Sequence, residues 1–356
     1  MEAQDIKILI AGDWHSTIYE EPLSRAFKKS GATVSEFKWH DYFAIKPTRN
    51  FGPLSIVKYL FSKIQEKFLF GPIISRINKD LFAFIEKTDP DVIFLYKPDL
   101  ICRWVIRATY RPGRQFLSYH NDDPFSAAKY RSRHYKALLE LMDINFVYRP
   151  KNLVDVAKIC NTKSEILLPY PDDRYIYPLR EMDKVYDVIF IGHYENDGRD
   201  DVIVKLIEDP SIHFGLFGTG WSKSKHYNYI TERLGEIRPL RNNAYNKGLN
   251  RCKVALCFFS KINNDKYTRR SFEIPASGTM LLSEYSIESA GLLRPNVEAM
   301  YFSDADELMS RTKYLLRNDS ERESIALAGY EKVIREHTAE NRVQQILCAL
   351  RVNLQR

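Results

Sequence analysis

Short apolar runs of strand length alternate with amphipathic, helix-like segments through the first half of the chain, and this alternation limits the possible folds. The first run, residues 6–12, reads Ile-Lys-Ile-Leu-Ile-Ala-Gly, and a helical pattern over residues 20–30 follows it and stops at Gly31. Similar apolar runs occupy residues 33–39, 91–95, 115–119, 145–148 and 165–168. Strands that alternate with helices form parallel sheets covered on both faces, so this half predicts an α/β domain.

The pattern restarts after a polar, proline-containing stretch at residues 177–184, which we interpret as a linker. Residues 185–192 form a strongly apolar run that ends in glycine, as residues 6–12 do, and strand-like runs follow at residues 213–218, 254–259 and 279–283. We therefore predict two Rossmann-like α/β domains that face a cleft, residues 1–179 and 180–339. Ligands of such sheets bind beyond the carboxyl ends of the strands.

Length, charge and cysteine content set the broad class of the protein. A chain of 356 residues suits two domains, and a net charge of +7 suits anionic ligands or an anionic membrane surface but is too small to indicate nucleic acid. The five cysteines are scattered without paired spacing, which favours a reducing compartment. We find no signal peptide and no apolar run of 18 residues, so we expect a cytoplasmic protein, with the inner face of the membrane as an alternative.

The segment most informative about chemistry lies between the apolar runs 254–259 and 279–283. It predicts a loop that enters a short helix at the mouth of the sheet, where backbone N–H groups and a partial positive charge favour phosphate. Arg269 and Arg270 add cationic donors, and Glu273 is placed to accept hydrogen bonds from ribose hydroxyls. The alternative is an arginine-rich surface loop in which Glu273 pairs with Arg269 or Arg270.

A family resemblance extends this reading. The stretch resembles the C-terminal domain of the group 1 glycosyltransferases, which have the GT-B fold, and in particular their CgeB-like, spore-maturation branch with its R-x-F-E-x-P-A-x-G pattern. The matching residues are Arg270-Ser271-Phe272-Glu273-Ile274-Pro275-Ala276-Ser277-Gly278. The wider group has two glutamates with seven residues between them, and here Asp265 takes the place of the first.

The resemblance implies roles for these residues. Glu273 would hold the donor ribose, and Asp265 would face the donor sugar, with Tyr267, Thr268 and Gly278 beside the donor. It also implies that the last helix, about residues 340–356, crosses back to the N-terminal domain. The implied activity is transfer of a hexose-like sugar from a nucleotide sugar. The residues leave inversion or retention of the anomeric centre open, and the resemblance implies retention.

Two glycine-rich turns complete the predicted donor side. Gly218 and Gly220 follow a strand-like run, and glycine there lets a ligand approach the backbone, although a tight turn explains them equally. The loop after residues 185–192 contains Arg199, which the resemblance assigns to the diphosphate, and His193 is the other basic side chain in that loop.

The N-terminal half supplies predicted acceptor-side groups. His120, Asp122 and Asp123 follow the apolar run 115–119, and a histidine exchanges protons near neutrality, while a carboxylate in a closed cleft is a candidate base. The alternative is an Asx-turn that caps the next helix. Asp13, Trp14 and His15 follow the first run and are candidates for contact with acceptor or donor, or a simple strand-end turn.

We predict no metal and no cofactor other than the nucleotide-sugar substrate. Asp89-Pro90-Asp91 and Asp304-Ala305-Asp306 match the D-x-D pattern of the other large glycosyltransferase fold, but the first starts a strand and the second caps a helix. No histidine or cysteine cluster has metal-ligand spacing. The arginines are expected to stabilise the leaving diphosphate instead.

Residues 46–79 carry seven basic residues against Glu66 alone, together with several aromatic residues. Such a segment either lies on an anionic membrane, as a lipid-linked acceptor would require, or packs an aromatic face on the N-terminal sheet.

The leading hypothesis from the sequence is a glycosyltransferase that acts on a polysaccharide or a lipid-linked glycan. The alternatives are a sugar-nucleotide epimerase and a non-catalytic nucleotide-sugar-binding or coat-associated protein.

Overall fold

The computed structural model describes residues 6–43, 53–125, 133–179 and 181–354. The chain divides into two compact units: Met1–Leu168 together with Ala339–Arg356, and Pro169–Thr338. Part of the basic segment predicted at residues 46–79, namely residues 46–52, lies outside the described residues.

The first unit is built on a six-stranded parallel sheet in the order β2-β1-β3-β4-β5-β6. Its strands are β1 (Lys7–Gly12), β2 (Thr33–Lys38), β3 (Val92–Tyr96), β4 (Gln115–His120), β5 (Ile144–Val147) and β6 (Lys163–Ile166). The register aligns Ile10 with Phe94, and Phe94 with Leu117. These central strands are apolar along their length because helices cover both of their faces.

Six helices of the first unit connect these strands: α1 (Glu20–Lys29), α2 (Pro53–Phe68), α3 (Pro72–Thr88), α4 (Arg103–Thr109), α5 (Arg133–Leu138) and α6 (Pro150–Ala157). One side of the sheet packs its apolar residues against α3 and α4, where Ile77, Leu81 and Val105 are fully buried. Proline begins α3 and α6, a position where its missing N–H costs nothing.

The second unit contains a five-stranded parallel sheet in the order β11-β10-β9-β7-β8. The strands are β7 (Tyr186–Ile191), β8 (Phe214–Phe217), β9 (Cys252–Cys257), β10 (Met280–Glu284) and β11 (Met300–Phe302). The helices are α7 (Arg199–Glu208), α8 (Tyr227–Leu234), α9 (Asn243–Asn250), α10 (Arg270–Ala276), α11 (Ile287–Leu292), α12 (Ala305–Arg317) and α13 (Asp319–Glu336). Phe190, Trp221 and Leu282 lie in its buried core.

The final helix, α14 (Ala339–Leu354), belongs to the first unit. Its Arg342 donates to the Leu168 carbonyl at 2.9 Å, and its Gln345 donates to the Ile166 carbonyl at 2.7 Å. Lys29 of α1 pairs with Glu340 at 3.0 Å. These contacts hold the end of the chain on the strand β6 edge of the first sheet.

The chain between the units packs with the second one. We predicted that residues up to 179 belong to the first domain, but residues 169–179 lie in the second compact unit. Two asparagines of α9 explain the difference. Asn246 and Asn250 both donate to the Tyr177 carbonyl, at 3.0 and 3.2 Å, and Asn250 also accepts from the Leu179 N–H at 2.7 Å.

Candidate functional site

Each sheet has one point where the chain order reverses, and the loops after the flanking strands meet there. In the second unit β7 lies between β8 and β9, and in the first unit β1 lies between β2 and β3. In open parallel sheets the crevice beyond the carboxyl ends of such strands is the usual ligand site. Functional side chains are therefore expected in the loops that follow β7 and β9 and in those that follow β1 and β3.

The glycine turn after β8 is fixed by contact with the loop after β7. Gly218 has φ +149°, and a Cβ atom there would lie 1.8 Å from the Gly192 carbonyl oxygen. The same carbonyl accepts a hydrogen bond from Trp221 Nε1 at 3.0 Å. Gly220 also has a positive φ, +78°, but a Cβ atom there would meet nothing closer than 3.8 Å. Packing between the two loops thus explains why position 218 requires glycine, and the positive φ explains why position 220 favours it.

Arg199 is used to build the loop rather than presented to a ligand. Its side chain is 1% exposed and forms a two-point pair with Asp197, with Nε–Oδ1 and Nη2–Oδ2 distances of 2.8 and 2.6 Å. It also donates to the His193 and Phe259 carbonyls at 3.0 and 3.2 Å. These contacts use four of the five N–H groups of a buried guanidinium, so the predicted direct contact between Arg199 and a diphosphate does not fit its position.

A polar cluster joins the ends of β7 and β9; the sequence reasoning named its His193 but missed Glu195 and Ser260. Glu195 is 6% exposed; its Oε1 lies 2.8 Å from His193 Nε2, and its Oε2 accepts from the Ser260 hydroxyl at 3.1 Å. His193 is half exposed, so it presents an imidazole at this edge of the sheet, backed by a buried carboxylate. Both residues follow apolar runs, and that position was the signal available in the sequence.

The start of α10 does not offer the open backbone N–H groups that we predicted. The Arg270 N–H donates to Thr268 Oγ1 at 3.1 Å, and the Thr268 N–H donates to Ser271 Oγ at 3.1 Å, which is a reciprocal cap. The N–H groups of Phe272 and Glu273 both donate to the Arg269 carbonyl at 2.9 Å. Thr268 therefore caps the helix, and the backbone N–H groups of its first turn already have acceptors within the protein.

Glu273 lies in a polar setting although it is 7% exposed. Its Oε1 accepts from Arg269 Nε and Nη2 at 3.0 and 2.7 Å, and its Oε2 accepts from the Tyr245 hydroxyl at 3.1 Å. The pairing with Arg269 is the alternative that the sequence left open. Tyr245 belongs to α9 and was not predicted, because no local pattern links it to a carboxylate 28 residues later. Burial is the larger cause, and the neighbouring Glu273 carboxylate the next, of a Tyr245 pKa that lies well above its usual value.

The Arg270 side chain contacts residues at the ends of β9 and β7. Its Nη2 donates to the Phe258 carbonyl at 3.2 Å, and its guanidinium carbon lies 5.7 Å from the centre of the Phe190 ring. Its Nε is buried and has no hydrogen-bond partner among the described residues. A guanidinium has five N–H groups, so this one keeps donors for a further oxygen at the switch point of the second sheet.

The remaining predicted donor residues surround this helix. Asp265 is partly buried in the loop before it and Tyr267 is 2% exposed. Gly278 lies beyond the far end of α10, where its φ of +74° suits the residue that closes a helix. A seven-residue helix is about 10 Å long, so Gly278 is placed to end the helix rather than to touch a ligand near Arg270.

In the first unit, the predicted residues after β1 form an ion-paired group. Asp13 Oδ2 lies 2.7 Å from His15 Nδ1, and its Oδ1 lies 3.5 Å from Nδ1 of His40, a residue that we did not predict. The hydrogen bond that His15 donates to the Asp13 carboxylate raises the pKa of His15 despite partial burial. Trp14 has φ +56°, and Lys38 Nζ lies 4.4 Å from its ring centre. The group is half exposed, which suits contact with a polar substrate.

Glu20, at the start of α1, lies beneath this loop. It is 2% exposed, and its Oε1 accepts from the Trp14 N–H at 3.1 Å while its Oε2 has no partner among the described residues. Burial raises its pKa to about 7, against the opposing effect of the Trp14 hydrogen bond. Nothing in the sequence distinguishes this glutamate from other acids in the first turn of a helix.

The predicted group after β4 separates into different roles. His120 is 3% exposed; its Nε2 lies 2.6 Å from Asp99 Oδ1, and its Nδ1 is 3.3 Å from the Asp122 backbone nitrogen. Both ring nitrogens are therefore engaged within the protein, which argues against direct proton exchange with an acceptor. Asp122 pairs with Lys97 at 2.8 Å. Lys97 and Asp99 follow the apolar run 91–95, the same signal that selected His120.

Asp123 has the structural role that we named as its alternative. It is fully buried, accepts from the Phe125 N–H at 3.0 Å in an Asx-turn, and accepts from Asn152 Nδ2 at 3.0 Å. Although burial opposes its charge, these hydrogen bonds and nearby Lys151 lower its pKa. A carboxylate with a lowered pKa is a weak base, so the predicted role of Asp123 as catalytic base does not fit the structure.

The two D-x-D sequences lie where we predicted them. Asp89 and Asp91 flank the start of β3 and pair with Arg111 at 3.0 and 3.4 Å. Asp304 caps α12 by accepting from the N–H groups of Asp306 and Glu307. Within the described part of the chain, no group of three or more histidine, cysteine or acidic residues is arranged to hold a metal ion.

Among the helices of the described residues, none is long and apolar enough to span a bilayer.

Two parallel-sheet α/β domains, with the last helix returned to the first of them, define the GT-B fold. Residues 199–348 match the model of a family described as glycosyl transferase-like. This segment contains Arg270, Glu273 and most of the second unit. No curated protein is similar enough in sequence to match the chain.

Solved structures agree with the fold over nearly the whole chain. Sucrose-phosphate synthase from Thermosynechococcus elongatus superimposes with a TM-score of 0.67 at 13% identity, covering 97% of this chain and 98% of that one. A glycosyltransferase from Rickettsia africae gives 0.67 at 12% identity, covering 98% of each chain. Anabaena HepE, solved with UDP and glucose, gives 0.63 at 12% identity, covering 98% and 100%. At these identities the likeness shows a shared GT-B fold.

Proposed function

We propose that this protein is a glycosyltransferase that moves a sugar from a nucleotide-sugar donor to a hydroxyl group of a glycan or lipid-linked saccharide. The observation that carries the proposal is the buried guanidinium of Arg270 at the switch point of the second sheet, with an Nε that has no partner in the described structure. The family model over residues 199–348 and the GT-B neighbours, one of them solved with UDP and glucose, support the same activity.

On the donor side, side chains replace the helix N-terminus as the anion-binding element. Arg270 donates to the Phe258 carbonyl through Nη2 and has further N–H groups, so it suits an oxygen of the diphosphate and would stabilise the charge that develops on it as the sugar leaves. Glu273 suits the ribose hydroxyls, because a carboxylate accepts from two hydroxyls at once. Tyr245 and Arg269 would hold that carboxylate in place. The role of Asp265 towards the donor sugar stays a prediction.

On the acceptor side, the half-exposed pair of Asp13 and His15 is better placed than His120 or Asp123. Asp13 engages His15 Nδ1 at 2.7 Å and so orients the imidazole, whose Nε2 becomes the atom for a hydroxyl proton. The hydrogen bond to Asp13 raises the pKa of His15 above its usual value, so the imidazole binds a proton more readily. Trp14, next to it, is partly exposed, and Lys38 Nζ lies over its ring, 4.4 Å from the centre, which places a further hydrogen-bond donor in the same group.

Several finer features belong to this proposal. We propose catalysis without a bound metal, with Arg270 supplying the positive charge, and retention of anomeric configuration, as in the group 1 enzymes that the sequence resembles. The CgeB-like branch and the hexose nature of the sugar rest on the motif around Glu273 alone. All five cysteines are free thiols, which suits a cytoplasmic site of action.

The proposal is tested by screening UDP-, GDP-, ADP- and dTDP-sugars for thermal stabilisation of the full-length protein. A ligand at a hundred times its dissociation constant stabilises the folded state by about 2.7 kcal/mol, which such a screen resolves. Arg270→Lys and Glu273→Gln are expected to reduce this stabilisation to about half or less, because a tenfold weaker ligand at the same concentration stabilises by only about 1.4 kcal/mol. Arg238→Lys and Glu236→Gln make the same changes at an exposed ion pair of the same unit and are expected to retain it.

Turnover separates the proposal from its alternatives. With the stabilising donor and a mixture of saccharide acceptors, a glycosyltransferase releases free nucleoside diphosphate and yields a product one sugar heavier. An epimerase converts the sugar of the donor without any acceptor, and a binding protein gives the thermal shift with neither product. Absence of stabilisation by every donor contradicts the proposal directly.

A further inference from the structure

The helix α2 faces its apolar residues outward. Six of its large hydrophobic side chains are 46 to 63% exposed, and Phe70, just after the helix, is 75% exposed; the six are Ile56, Val57, Leu60, Phe61, Ile64 and Phe68. At about 100° per residue they fall within an arc of about 140° on one face. A helix that packs only against its own domain turns such a face towards the core, so this arrangement is the reverse of the usual one.

The inward face of α2 is polar and is held in place by specific contacts. Ser62 and Gln65 are 0 and 2% exposed. Gln65 Oε1 accepts from the Ile73 N–H at 2.7 Å, which ties the end of α2 to the start of α3. Leu69 follows the helix with φ +53° and is buried in the core with Ile74 and Ile77. These contacts fix the rotation of the helix and leave the apolar face on the outside.

Basic side chains border this apolar face. Lys58 lies along one edge and Lys63 and Lys67 along the other, and all three are exposed. Residues 56–79 contain five basic residues and one acidic residue, Glu66, a formal charge of +4. Lys63 pairs with Glu66 at 2.7 Å, and Lys67 Nζ lies 5.6 Å from the Phe68 ring centre. The face therefore combines an apolar centre with a cationic border.

We propose that α2 docks this protein on an anionic lipid bilayer, with the apolar face inserted at the level of the headgroups and the lysines in contact with lipid phosphates. A helix with an apolar stripe and basic flanks is the arrangement that lies in the plane of a membrane interface. A second copy of this chain is a poorer partner, because antiparallel pairing of two such faces brings their lysine borders together. Anionic headgroups neutralise that charge instead.

Vesicle co-sedimentation of the full-length protein tests this surface without reference to catalysis. We expect binding to vesicles of phosphatidylcholine with phosphatidylglycerol, and binding that is much weaker without the anionic lipid or in high salt. Exchange of Leu60, Phe61 and Ile64 for glutamine is expected to weaken binding more than about tenfold, since three inserted side chains are lost. Exchange of Lys58 and Lys67 for glutamine is expected to remove the preference for anionic lipid.

A matched control exchanges Ile287, Leu327 and Ile334 for glutamine. These side chains are 44 to 76% exposed on helices of the second unit, so the same loss of surface hydrophobicity is expected to leave binding unchanged. Because the α2 side chains are exposed, their exchange leaves the melting temperature near that of the wild type. Equal binding of the α2 and control variants overturns the proposal. So does a wild type that ignores anionic vesicles but changes from dimer to monomer when α2 is exchanged, since that result identifies a second copy as the partner.

Discussion

Glu20 provides a sharp test of the electrostatics, because its carboxyl group is buried without a countercharge in contact. The side chain is 2% exposed, and burial raises its pKa from 4.5 to about 7. Between these two pH values the folded protein keeps a proton that the unfolded chain releases. Stability therefore falls as the pH rises from about 4.5 to about 7 and is constant above that range. A shift of this size corresponds to about 3 kcal/mol.

The perturbation is Glu20→Gln, which keeps an oxygen to accept from the Trp14 N–H and removes the ionisable group. Urea unfolding at pH 5 and pH 8 gives the free energy of unfolding of each protein. Tryptophan fluorescence follows mainly the first unit, because Trp14, Trp39 and Trp104 lie there and only Trp221 lies in the second. We expect the variant to gain about 2.5 kcal/mol relative to the wild type between pH 5 and pH 8, because a small part of the effect is already present at pH 5.

A second glutamate gives the control. Ser24, Lys38 and Lys28 lower the pKa of Glu36 to about 2 even though partial burial opposes this, so Glu36 is ionised in both the folded and the unfolded state at pH 5 and pH 8. Glu36→Gln should therefore destabilise the protein by a similar amount at both values. A Glu20→Gln variant whose stability relative to the wild type does not change between pH 5 and pH 8 would refute the assignment of a buried, near-neutral carboxyl group.

Three structural predictions follow from the second unit. Gly218→Ala places a Cβ atom 1.8 Å from the Gly192 carbonyl, and we expect it to cost more than about 3 kcal/mol in thermal denaturation, whereas Gly113→Ala, at a positive φ with open space around it, costs about 1 kcal/mol. Thr268→Ala removes the cap of α10 and should cost about 1 kcal/mol by the same measurement, with Thr268→Ser close to the wild type. Asn250→Ala leaves the Leu179 N–H without its acceptor and should cost about 2 kcal/mol in urea unfolding, with cleavage by added protease near residue 180 as a second readout.

The sequence predicted most of the fold because strand and helix patterns are local. The apolar runs at residues 6–12 and 185–192 are the strands β1 and β7, and the other predicted runs correspond to β2–β6 and β8–β10. The three-residue strand β11 (Met300–Phe302) was not predicted, because so short a run carries no clear pattern. The orientation of helix α2 was harder to predict, since its apolar residues also fit a helix that packs on the sheet. Its rotation depends on Gln65 and the Ile73 N–H, a tertiary contact that periodicity does not encode.

The candidate site was predicted in position but not in detail. The rule that ligands bind beyond parallel strands selected the loops around Asp13, His120 and Arg270, and the same rule also marks Lys97. It does not say which polar side chains at those loops face a ligand and which hold the loop together. Arg199 and Asp123 are of the second kind. Each has a partner two residues away in a turn and another that is distant in the sequence, Phe259 for Arg199 and Asn152 for Asp123. The partnership of Glu273 with Tyr245 depends on how α9 packs beside α10.

The central claim, that Arg270 binds an oxygen of the donor diphosphate, is tested most directly by calorimetric titration with the nucleoside diphosphate that the stability screen selects. Arg270→Lys keeps the charge but loses the guanidinium fork, and we expect its affinity to be at least about tenfold weaker than that of the wild type, with Arg238→Lys unchanged. Thermal denaturation without ligand shows whether each variant is folded. A folded Arg270→Lys variant that binds the diphosphate as tightly as the wild type would contradict the account.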